Sequence, residues 1–376
     1  MLIPTSRKTG RCTGRLLCCL GVMALFTLGG CKQEAARPVQ VSPVPSTQAV
    51  VDSGKTVTPP SKLPQRWTLP QGCVFEALSP DDMWVVVYCE QQGPTASRPP
   101  GVWVGKLDGT NWNLLTSADE ITRFSAPSVR WSPDGTMLVL SHIRGPVKLI
   151  RRDKWGNQQV LHTKNMGLQG DPVWSPDSSH MAVAGLEPGT ALALLSPDGA
   201  IRILLHETEI EQPPNLNFGP AWSPDSRRLA YLVLPDQGTP TSRQLWAMDI
   251  TSGKRQMLFE TDKPFLEPVW SPDGHRIALL LPWDQVFVFD LEAGKLAQVP
   301  LPKEATEVHQ HVWAPDSDRL ALETHTGLWI VSVTHGTANH VTPKSASIIR
   351  WSSDGREIVA RIWEDEGEAI ELIPVD

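Results

Sequence analysis

The sequence lacks the short motifs by which several common classes of enzyme are recognised. It contains no G-x-S-x-G nucleophile elbow, no H-E-x-x-H zinc motif, no P-loop and no C-x-x-C pair. Each of these patterns places a nucleophile, metal ligands or phosphate-binding amides at a fixed spacing. We therefore predict no catalytic residues and no cofactor, and we expect the chain to bind a partner rather than to catalyse a reaction.

An excess of basic charge is also absent. The chain has 34 Lys and Arg residues against 41 Asp and Glu residues, which gives a net charge of −7. Residues 1–30 hold four basic residues and no acidic one, so the balance without them is 30 − 41 = −11. Because an acidic surface repels phosphate backbones, we do not expect nucleic acid as a partner.

The apolar run "LLCCLGVMALFTL" at 16–28 is shorter than the roughly 20 residues of a membrane-spanning helix. It follows four basic residues and ends in "LGGC", which resembles the bacterial lipobox. The resemblance implies that residues 1–30 are a lipoprotein signal peptide and that Cys31 is the lipid-attachment site. Two or three acyl chains would hold the protein stably on a membrane. The alternative is an ordinary cleaved signal in which Cys31 has no such role.

Residues 31–64 form a segment that is rich in proline. Six prolines lie between Lys32 and Pro64, and no hydrophobic periodicity accompanies them. Such a composition predicts a disordered tether, which at about 3 Å per residue could extend roughly 100 Å. We assign residues 65–376, which show no second break in composition, to one folded domain.

Cysteine is scarce in that domain. Of the six cysteines only Cys73 and Cys89 follow Cys31, and they flank the turn "LSPDD" almost symmetrically. Opposed positions on a hairpin bring Cβ atoms within about 4.5–5.5 Å, and an extracytoplasmic compartment is oxidising. We therefore predict a Cys73–Cys89 disulfide, with two buried free thiols as the alternative.

Tryptophan, in contrast, is abundant and regularly placed. The pentapeptide "WSPDG" at 131–135 returns with small changes at steps of 43, 48, 48, 43 and 38 residues, and "LSPDD" is a degenerate earlier copy. Each repeat contains four short strands, which we call A to D, separated by Gly, Pro and Asp turns. Seven such repeats predict an all-β, seven-bladed β-propeller of four-stranded antiparallel blades.

The ends of the domain predict how the ring closes. The seventh repeat ends without a strand D, and "QRWTLP" at 65–70 reads as a strand D ahead of the first blade. Pairing of this N-terminal strand with the last blade would complete that blade and cover an open sheet edge.

We assign structural roles to the repeated residues. Proline and glycine suit the A–B turn, aspartate can accept turn amides, and the indole can fill the gap between blades. The alternative, a ligand site at each aspartate, would leave the carboxylates dispersed around the rim. The residues in question are Trp131, Asp134, Trp174, Asp177, Trp222, Asp225, Trp270, Asp273, Trp313, Asp316, Trp351 and Asp354.

The lead-in P-x-W-S-P-D-G, best preserved at 172–178, 220–226 and 268–274, resembles the WD-like repeat of TolB-type propellers. The resemblance covers residues 65–376 and implies a propeller fold. TolB itself has an α/β domain ahead of its propeller, whereas this chain has a tether and a lipobox there. The chain is therefore not expected to be TolB, and TolB's partners are not carried over.

Loop length predicts which end of the propeller binds. The A–B and C–D turns are short, whereas the B–C and D–A loops on the other end vary, as at 90–101, 206–219 and 234–243. Because loops carry recognition, we expect the binding surface there, with idle insertions as the alternative.

Asp171, Glu267 and Gln310 lie three residues before a tryptophan on strand A, and they could line an acidic channel for a cation or a basic peptide. Solvated pore residues are the alternative.

Three histidines in the sixth repeat are weak metal candidates. His309 and His311 lie two apart on a strand and would face the same side, and His325 follows. Some propeller-fold pectate-degrading lyases use a histidine-bound metal, so a metal-dependent saccharide lyase or hydrolase is an alternative function. Packing between blades explains the same histidines, and we predict no metal site.

Taken together, these patterns predict a monomeric, lipid-anchored propeller of the bacterial cell envelope. We expect it to bind an envelope protein or a glycan without catalysis, with a sensor for a small ligand as a further alternative. Lys32 stands where an aspartate retains enterobacterial lipoproteins at the inner membrane, which favours attachment to the outer membrane.

Overall fold

The fold is described from a computed structural model of the chain. The structure describes residues 63–89, 98–124, 127–142, 146–162, 171–184, 190–206, 220–233, 243–263, 265–281, 285–343, 345–364 and 367–375. All of them belong to the larger of two compact units, residues 39–376. The predicted signal peptide, Cys31 and the tether up to residue 62 lie outside the described residues, so the predictions made for them stay predictions.

The described strands form seven separate four-stranded antiparallel sheets, which confirms the predicted all-β, seven-bladed propeller. The chain begins with β1 (Arg66–Thr68). Blade 1 contains β2 (Cys73–Leu78), β3 (Trp84–Cys89), β4 (Gly101–Lys106) and β5 (Asn113–Ser117), and helix α1 (Ala118–Phe124) follows it. Blade 2 contains β6 (Ser128–Trp131), β7 (Met137–Ser141), β8 (Val147–Arg151) and β9 (Gln158–His162). Blade 3 contains β10 (Val173–Trp174), β11 (Met181–Ala184), β12 (Thr190–Leu195) and β13 (Ile201–His206).

The remaining four blades repeat the same order of strands. Blade 4 contains β14 (Ala221–Trp222), β15 (Arg228–Val233), β16 (Arg243–Asp249) and β17 (Arg255–Thr261). Blade 5 contains β18 (Leu266–Trp270), β19 (Arg276–Leu281), β20 (Gln285–Asp290) and β21 (Lys295–Gln298). Blade 6 contains β22 (Gln310–Trp313), β23 (Arg319–Thr324), β24 (Gly327–Ser332) and β25 (Ala338–Thr342). Blade 7 contains β26 (Ala346–Trp351), β27 (Glu357–Glu364) and β28 (Gly367–Pro374).

Burial falls from the second strand of a blade to its outermost strand. Every residue of β7, "MLVLS", is buried, whereas four of the six residues of β13, "IRILLH", are exposed. A strand that is covered on both faces reads as a continuous apolar run, because neither face meets water. The core therefore consists of apolar layers between neighbouring blades, and we call each such interface a seam.

The N-terminal strand closes the ring. β1 pairs antiparallel with β28, with Arg66 opposite Glu371 and Thr68 opposite Ala369. The strand covers the edge of β28, which would otherwise present unpaired backbone groups. Leu63 and Leu69, on either side of β1, are buried among side chains of blades 7 and 1. The closing segment thus supplies both a strand and part of a seam.

Connectivity gives the propeller two unlike ends. The A–B and C–D turns lie at one end, which we call the turn face, and the B–C and D–A connections lie at the other, the loop face. The helix α1 lies in the D–A connection after blade 1, where the sequence predicted only a loop. Its Glu120 accepts hydrogen bonds from Thr116 and from Lys148 of blade 2. None of the described segments has the length and hydrophobicity of a membrane-spanning helix.

Candidate functional site

The repeated Ser-Pro-Asp turns form hydrogen-bonded units on the turn face. In blade 2 the Ser132 hydroxyl donates to Asp134 Oδ1 over 2.6 Å and accepts from the Met137 N–H over 3.0 Å. Asp134 Oδ1 also accepts from the Thr136 N–H, and Gly135 has a φ of 69°, in the left-handed region. The same bonds recur around Ser175, Ser223, Ser271 and Ser352. The carboxylates and hydroxyls of these turns are therefore occupied within the turn.

Blade 6 shows what the serine does, because alanine replaces it there. With Ala314 in the serine position, Asp316 Oδ1 accepts from the backbone N–H groups of both Asp318 and Arg319. In blade 4 the residue that corresponds to Arg319 is Arg228, and its backbone N–H donates to the Ser223 hydroxyl instead. In blade 6 the Asp316 carboxylate accepts the hydrogen bond that a serine hydroxyl accepts in the other turns, so the turn keeps its hydrogen bonds.

The residue after the aspartate connects neighbouring blades. Ser178, Ser226 and Ser317 have φ values of 61°, 59° and 60°. Their hydroxyls accept from the backbone N–H of Asp134, Asp177 and Asp273 in the preceding blades, over 2.9–3.0 Å. The sequence predicted only a turn at this position and did not indicate its second role between blades.

The repeated tryptophans lie in the seams. All six of them are 5–9% exposed. Trp270, for example, packs with Ala230 and Leu232 of blade 4 and with Ile277 of its own blade. Four of the indole N–H groups also donate to a carbonyl of the preceding blade, those of Trp222, Trp270, Trp313 and Trp351, over 2.9–3.1 Å. The indoles of Trp131 and Trp174 find no acceptor among the described protein atoms.

The surroundings of Asp134, Asp177 and Asp273 favour the charged form of these turn aspartates. Burial opposes ionisation of Asp134, but hydrogen bonds from Ser132 and Thr136 outweigh it, and its pKa lies below the usual range. The pKa of Asp177 and that of Asp273 are lowered in the same way. A lowered pKa in the folded state stabilises the fold at neutral pH, and this contribution is lost as the pH falls. The environment of these carboxylates suits a structural role better than a ligand site.

The A–B turn of blade 1 differs from the other A–B turns, and one of its aspartates joins blade 1 to blade 7. Asp82 occupies the left-handed position with a φ of 58°, and its carboxylate is buried. It pairs with the guanidinium of Arg350, which lies on strand A of blade 7. Leu78 stands in the tryptophan position, so the seam between blades 7 and 1 is joined by an ion pair and by the segment around β1. Nothing in the local sequence indicates this pairing across 268 residues.

The structure contains a disulfide between Cys73 and Cys89, which face each other on β2 and β3. Both cysteines are buried in the seam between blades 7 and 1, next to Leu63 and Leu69. The cross-link therefore lies where the closing segment enters blade 1.

Replacing both cysteines by serine is expected to lower the free energy of unfolding by about 3 kcal/mol, because the bond constrains a short loop of the unfolded chain. The loop has a sequence separation of 16 residues. Urea denaturation of the two proteins without residues 1–62 measures the difference. Titration of the denatured, unreduced parent should find no free thiol; two thiols per chain would refute the bond.

The long loops that were predicted to carry recognition lie mostly outside the described residues. Of 90–101, 206–219 and 234–243, the structure describes 98–101, 206 and 243. Arg98 lies over the Trp112 ring at 4.0 Å. The prediction that these loops bind a partner therefore stays a prediction, and the described part of the loop face belongs mainly to blades 6, 7 and 1.

The structure describes the side chains of two of the three predicted channel residues. Asp171 pairs with Arg130 of blade 2 over 3.0 Å, so its charge is compensated. Glu267 lies on β18 of blade 5, and its side chain is outside the described atoms. Gln310 of blade 6 accepts with Oε1 from the Ile348 N–H over 3.2 Å and faces the Ser347 hydroxyl at 3.4 Å. The role of these residues as the lining of a channel stays a prediction.

Gln310 belongs to a group of polar side chains at the loop-face ends of blades 6 and 7, which we call the polar cluster. Its members are Gln310, Glu323, Ser347, Arg361 and Glu368. Glu323 lies opposite Gln310 on β23, and Ser347 lies opposite Arg361 in blade 7. Arg361 forms an ion pair with Glu368, whose other oxygen accepts from the Phe75 N–H of blade 1 over 2.8 Å. The cluster thus spans two seams.

An exposed aromatic ring accompanies the polar cluster. Trp363, two residues beyond Arg361 on β27, is 37% exposed, and the Arg361 guanidinium lies 4.8 Å from its ring centre. Large aromatic side chains at a polar rim are enriched where proteins meet partners. Motif searches miss this group, because its members come from five strands and share no spacing.

The three histidines do not group as metal ligands. Within the described ranges, no group of three or more His, Cys, Asp or Glu residues could hold a metal ion. His309 precedes β22 and is exposed, whereas His311 lies within the strand and is buried. His325 is 72% exposed in its side chain, and its Nδ1 lies 3.9 Å from Glu307 Oε2. His309 and His311 therefore differ in burial, and only His311 lies within the strand, which begins at Gln310.

Comparison with known proteins shows the fold. The chain is similar to an oligogalacturonate lyase solved in complex with manganese, at 12% identity over 83% of this chain and 90% of that chain, with a TM-score of 0.57. It is also similar to an oligogalacturonate lyase from Vibrio parahaemolyticus, at 11% identity over 82% and 92% of the two chains, with a TM-score of 0.59. The chain shares their propeller fold.

At such identities the likeness extends to the fold alone. TolB from Acinetobacter baumannii matches at 13% identity over 81% of this chain and 78% of that chain, with a TM-score of 0.43, too low to support an argument. No protein-family model matches the chain, and no curated protein matches it. Membership of the TolB-type family therefore remains a prediction from the repeat.

Within the polar cluster, Glu323 is the group with the most perturbed environment. Burial raises its pKa, although hydrogen bonds from Ser347 and Ile348 and the charge of Arg361 oppose the shift. A carboxylate with a raised pKa in the folded state destabilises the fold once both folded and unfolded forms are ionised. The ionised Glu323 side chain is therefore expected to lower the free energy of unfolding at neutral pH.

Glu323→Gln is expected to raise the free energy of unfolding at pH 7, because it removes the buried charge. At pH values below the ordinary carboxyl pKa of about 4.3 the difference should disappear, since Glu323 is then protonated in both states. Urea denaturation across this pH range measures it. Glu292→Gln, in an exposed turn of blade 5, is the matched control and should change stability at neither pH. A less stable Glu323→Gln protein at pH 7 would contradict the expected sign.

Proposed function

We propose that the protein is a non-enzymatic binding protein of the bacterial cell envelope, anchored to a membrane through acyl chains on Cys31. It recognises a protein or glycan partner with its loop face, around the polar cluster and the exposed Trp363. The basic start, the short apolar run and "LGGC" support the anchor, and Lys32 favours the outer membrane.

The contrast between the two faces of the propeller carries this proposal. On the turn face, the carboxylates and hydroxyls of the repeated turns are used in hydrogen bonds within or between blades, as with Ser132, Asp134 and Ser178. On the loop face, Glu323 keeps a half-buried carboxylate whose pKa is raised by burial, and Trp363 keeps an exposed ring. Groups that are maintained against stability are typical of binding sites.

Site-specific photo-crosslinking in native membranes tests which face binds. A crosslinking amino acid at His325 or Trp363 is expected to capture one discrete envelope component. The same group at Ser252 or Glu292, exposed positions in C–D turns of the turn face, is the matched control. Adducts from the turn face alone, or from neither face, would count against the proposal.

Cys31→Ser is expected to move the protein from the membrane fraction to the soluble fraction, because the serine cannot receive the acyl chains. Fractionation and immunoblotting measure the shift, which should exceed about tenfold, since stable anchoring needs at least two membrane signals. Mass spectrometry of the N-terminal peptide of the parent should show a lipid mass on Cys31. Cys12→Ser, within the predicted signal peptide, should leave the protein on the membrane. Equal membrane retention of both variants would exclude a lipid anchor at Cys31.

A further inference from the structure

Trp363 is the one exposed ring among the aromatic side chains that the structure describes. It is 37% exposed, whereas the other described tryptophans are buried or half-buried. A large aromatic side chain can bury about 150–250 Å², so roughly 60–90 Å² of this one stays open to solvent. Leaving that apolar surface in water is unfavourable. A ligand that covers the ring would remove the cost.

The strand that carries Trp363 extends farther than its counterparts. β27 begins six residues after Trp351, just as β15, β19 and β23 begin six residues after their own repeated tryptophans. Those three strands have six residues each, whereas β27 has eight. The additional residues are Trp363 and Glu364. At about 3.3 Å per residue they carry the hairpin roughly 7 Å farther at the loop face.

An ion pair holds the exposed ring in place. The Arg361 guanidinium lies over the Trp363 ring, 4.8 Å from its centre, and pairs with Glu368. The Glu368 side chain is 9% exposed, and its second oxygen accepts from the Phe75 N–H of blade 1 over 2.8 Å. The ring therefore rests on a group that is fixed to two blades. A binding surface that is ordered in advance loses little freedom when a ligand arrives.

The open apolar surface at Trp363 has the size of one small ring. The other large apolar side chains that are exposed in the described ranges lie on the outermost strands β5, β9 and β13, and they are Leu114, Val160, Ile201 and Ile203. A stable protein interface buries about 800 Å² on each partner. One face of a pyranose ring, which presents mainly C–H groups, matches the available area better.

The chain enters the propeller from the opposite end. From Thr68 back to Arg66, β1 runs beside β28 from Ala369 to Glu371, away from the hairpin that joins β27 to β28. The segment ahead of β1 therefore reaches the propeller from the turn-face side, and the tether of the proposed anchor joins it there. The hairpin is remote from this attachment, which favours a partner away from the anchoring membrane over the lipid surface.

We propose that Trp363 stacks against the face of an uncharged pyranose in a glycan; this rests on the proposed loop-face function and names its partner class. Stacking removes the C–H face from water, while the hydroxyls at the ring edge stay solvated. From Arg361 to Glu371 the sequence has one basic and five acidic residues, so an acidic saccharide is repelled. Arg361 already makes the cation–π contact with the ring, and a cationic ligand adds repulsion to it.

The test uses the full mature protein with isotope-labelled tryptophans and follows the indole N–H signals by NMR. The signal of Trp363 is the one that is absent from Trp363→Ala. The neutral trisaccharides maltotriose, cellotriose and triacetylchitotriose are titrated one at a time, and at least one of them is expected to shift this signal. Trigalacturonate, acetyl-Gly-Lys-Gly-amide and phosphatidylglycerol vesicles should not shift it.

Variants connect the binding to the ring. Saturation-transfer NMR on the saccharide should give a dissociation constant about tenfold or more higher for Trp363→Ala, and a smaller increase for Trp363→Phe, which keeps a smaller aromatic face. Val160→Ala is the matched control, because Val160 is 46% exposed on β9, and it should leave the constant unchanged. A urea transition like that of the parent verifies that each variant is folded.

Three results overturn the proposal. The first is the absence of a shift with all three neutral trisaccharides. The second is equal saccharide binding by the parent and Trp363→Ala. The third is a shift with trigalacturonate, the charged peptide or the vesicles but with no neutral trisaccharide, because the ring would then serve a charged or lipid partner.

The crosslinking experiment separates this inference from the proposed function. If no neutral trisaccharide binds and the Trp363→Ala protein captures its partner at His325 as well as the parent does, the loop-face function stands and the glycan site falls. If a neutral trisaccharide binds at Trp363 but no loop-face adduct forms in membranes, the site stands and the proposed function falls.

Discussion

Replacing Trp270 by alanine is expected to lower the free energy of unfolding by about 4 kcal/mol, one of the largest effects of any single substitution in this chain. The indole is 5% exposed between blades 4 and 5. Its N–H donates to the Ala221 carbonyl over 3.1 Å, and the Arg228 guanidinium lies 4.7 Å from the ring centre. Alanine removes all of these contacts and leaves a cavity that the two rigid sheets cannot close. Urea denaturation measures the change.

A pair of phenylalanine variants separates the hydrogen bond from the packing. Trp270→Phe removes an indole N–H that has an acceptor, whereas Trp131→Phe removes one that has none among the described protein atoms. We expect Trp270→Phe to cost about 1 kcal/mol more, the usual worth of a hydrogen bond. Equal costs would mean that the bond to blade 4 contributes nothing. A Trp270→Ala protein as stable as the parent would refute the role of the indole in the seam.

Removing the closing segment up to Leu69 is expected to destabilise the propeller by roughly 5 kcal/mol, from the lost burial of two leucines and part of Trp67. Leu63 and Leu69 are both buried in the last seam, and Trp67 packs beside them. The deletion also uncovers the edge of β28, which is eight residues long and carries the buried Ile370 and Leu372. An exposed apolar edge pairs with other chains, so we expect oligomers as well as lower stability.

The matched control is a protein that begins at Leu63 and keeps the closing segment. It should be as stable as the parent in urea and elute as a monomer in size-exclusion chromatography with light scattering. If the protein that begins at Pro70 were equally stable and monomeric, β1 would not close the ring. The propeller would then have to be held together by the ion pair between Asp82 and Arg350 and by the disulfide.

The repeat explains why the fold was predictable. A tryptophan before a Ser-Pro-Asp turn at steps of about 40–50 residues restricts the chain to a ring of sheets, since each indole must be buried by the next repeat. The missing strand D of the last repeat and the spare strand at 65–70 indicated the closure before any contact was known. Local chemistry was sufficient because each blade is built from neighbouring residues, and the pairing between its strands is local.

The seams were less predictable than the blades. The serine hydroxyls of Ser178 and Ser317 join turns more than 40 residues apart. The ion pair between Arg350 and Asp82 joins the two ends of the domain. Such contacts depend on which side chain lies across a seam, and a single sequence without aligned relatives does not indicate register between separate sheets.

The residues of the candidate site could likewise be predicted only in part. Gln310 was identified from its place three residues before Trp313, because that spacing puts it at the start of strand A. Glu323 and Arg361 were missed, since each reads as an isolated charge on a strand. The three histidines share one repeat, but among the described residues they are not part of a group that could hold a metal ion.

By itself the sequence determined the number of blades, the turn chemistry, the pairing of Cys73 with Cys89 as a hypothesis, and the strand that completes the last blade. These follow from short-range patterns, in which residues a few positions apart constrain one backbone conformation. Only the tertiary structure decided that Gln310 accepts hydrogen bonds from blade 7, that Arg130 pairs with Asp171, and that Asp82 joins Arg350. Those outcomes depend on where charges from different blades meet, because electrostatic and hydrogen-bond balance is set by distance in space and not by distance along the chain.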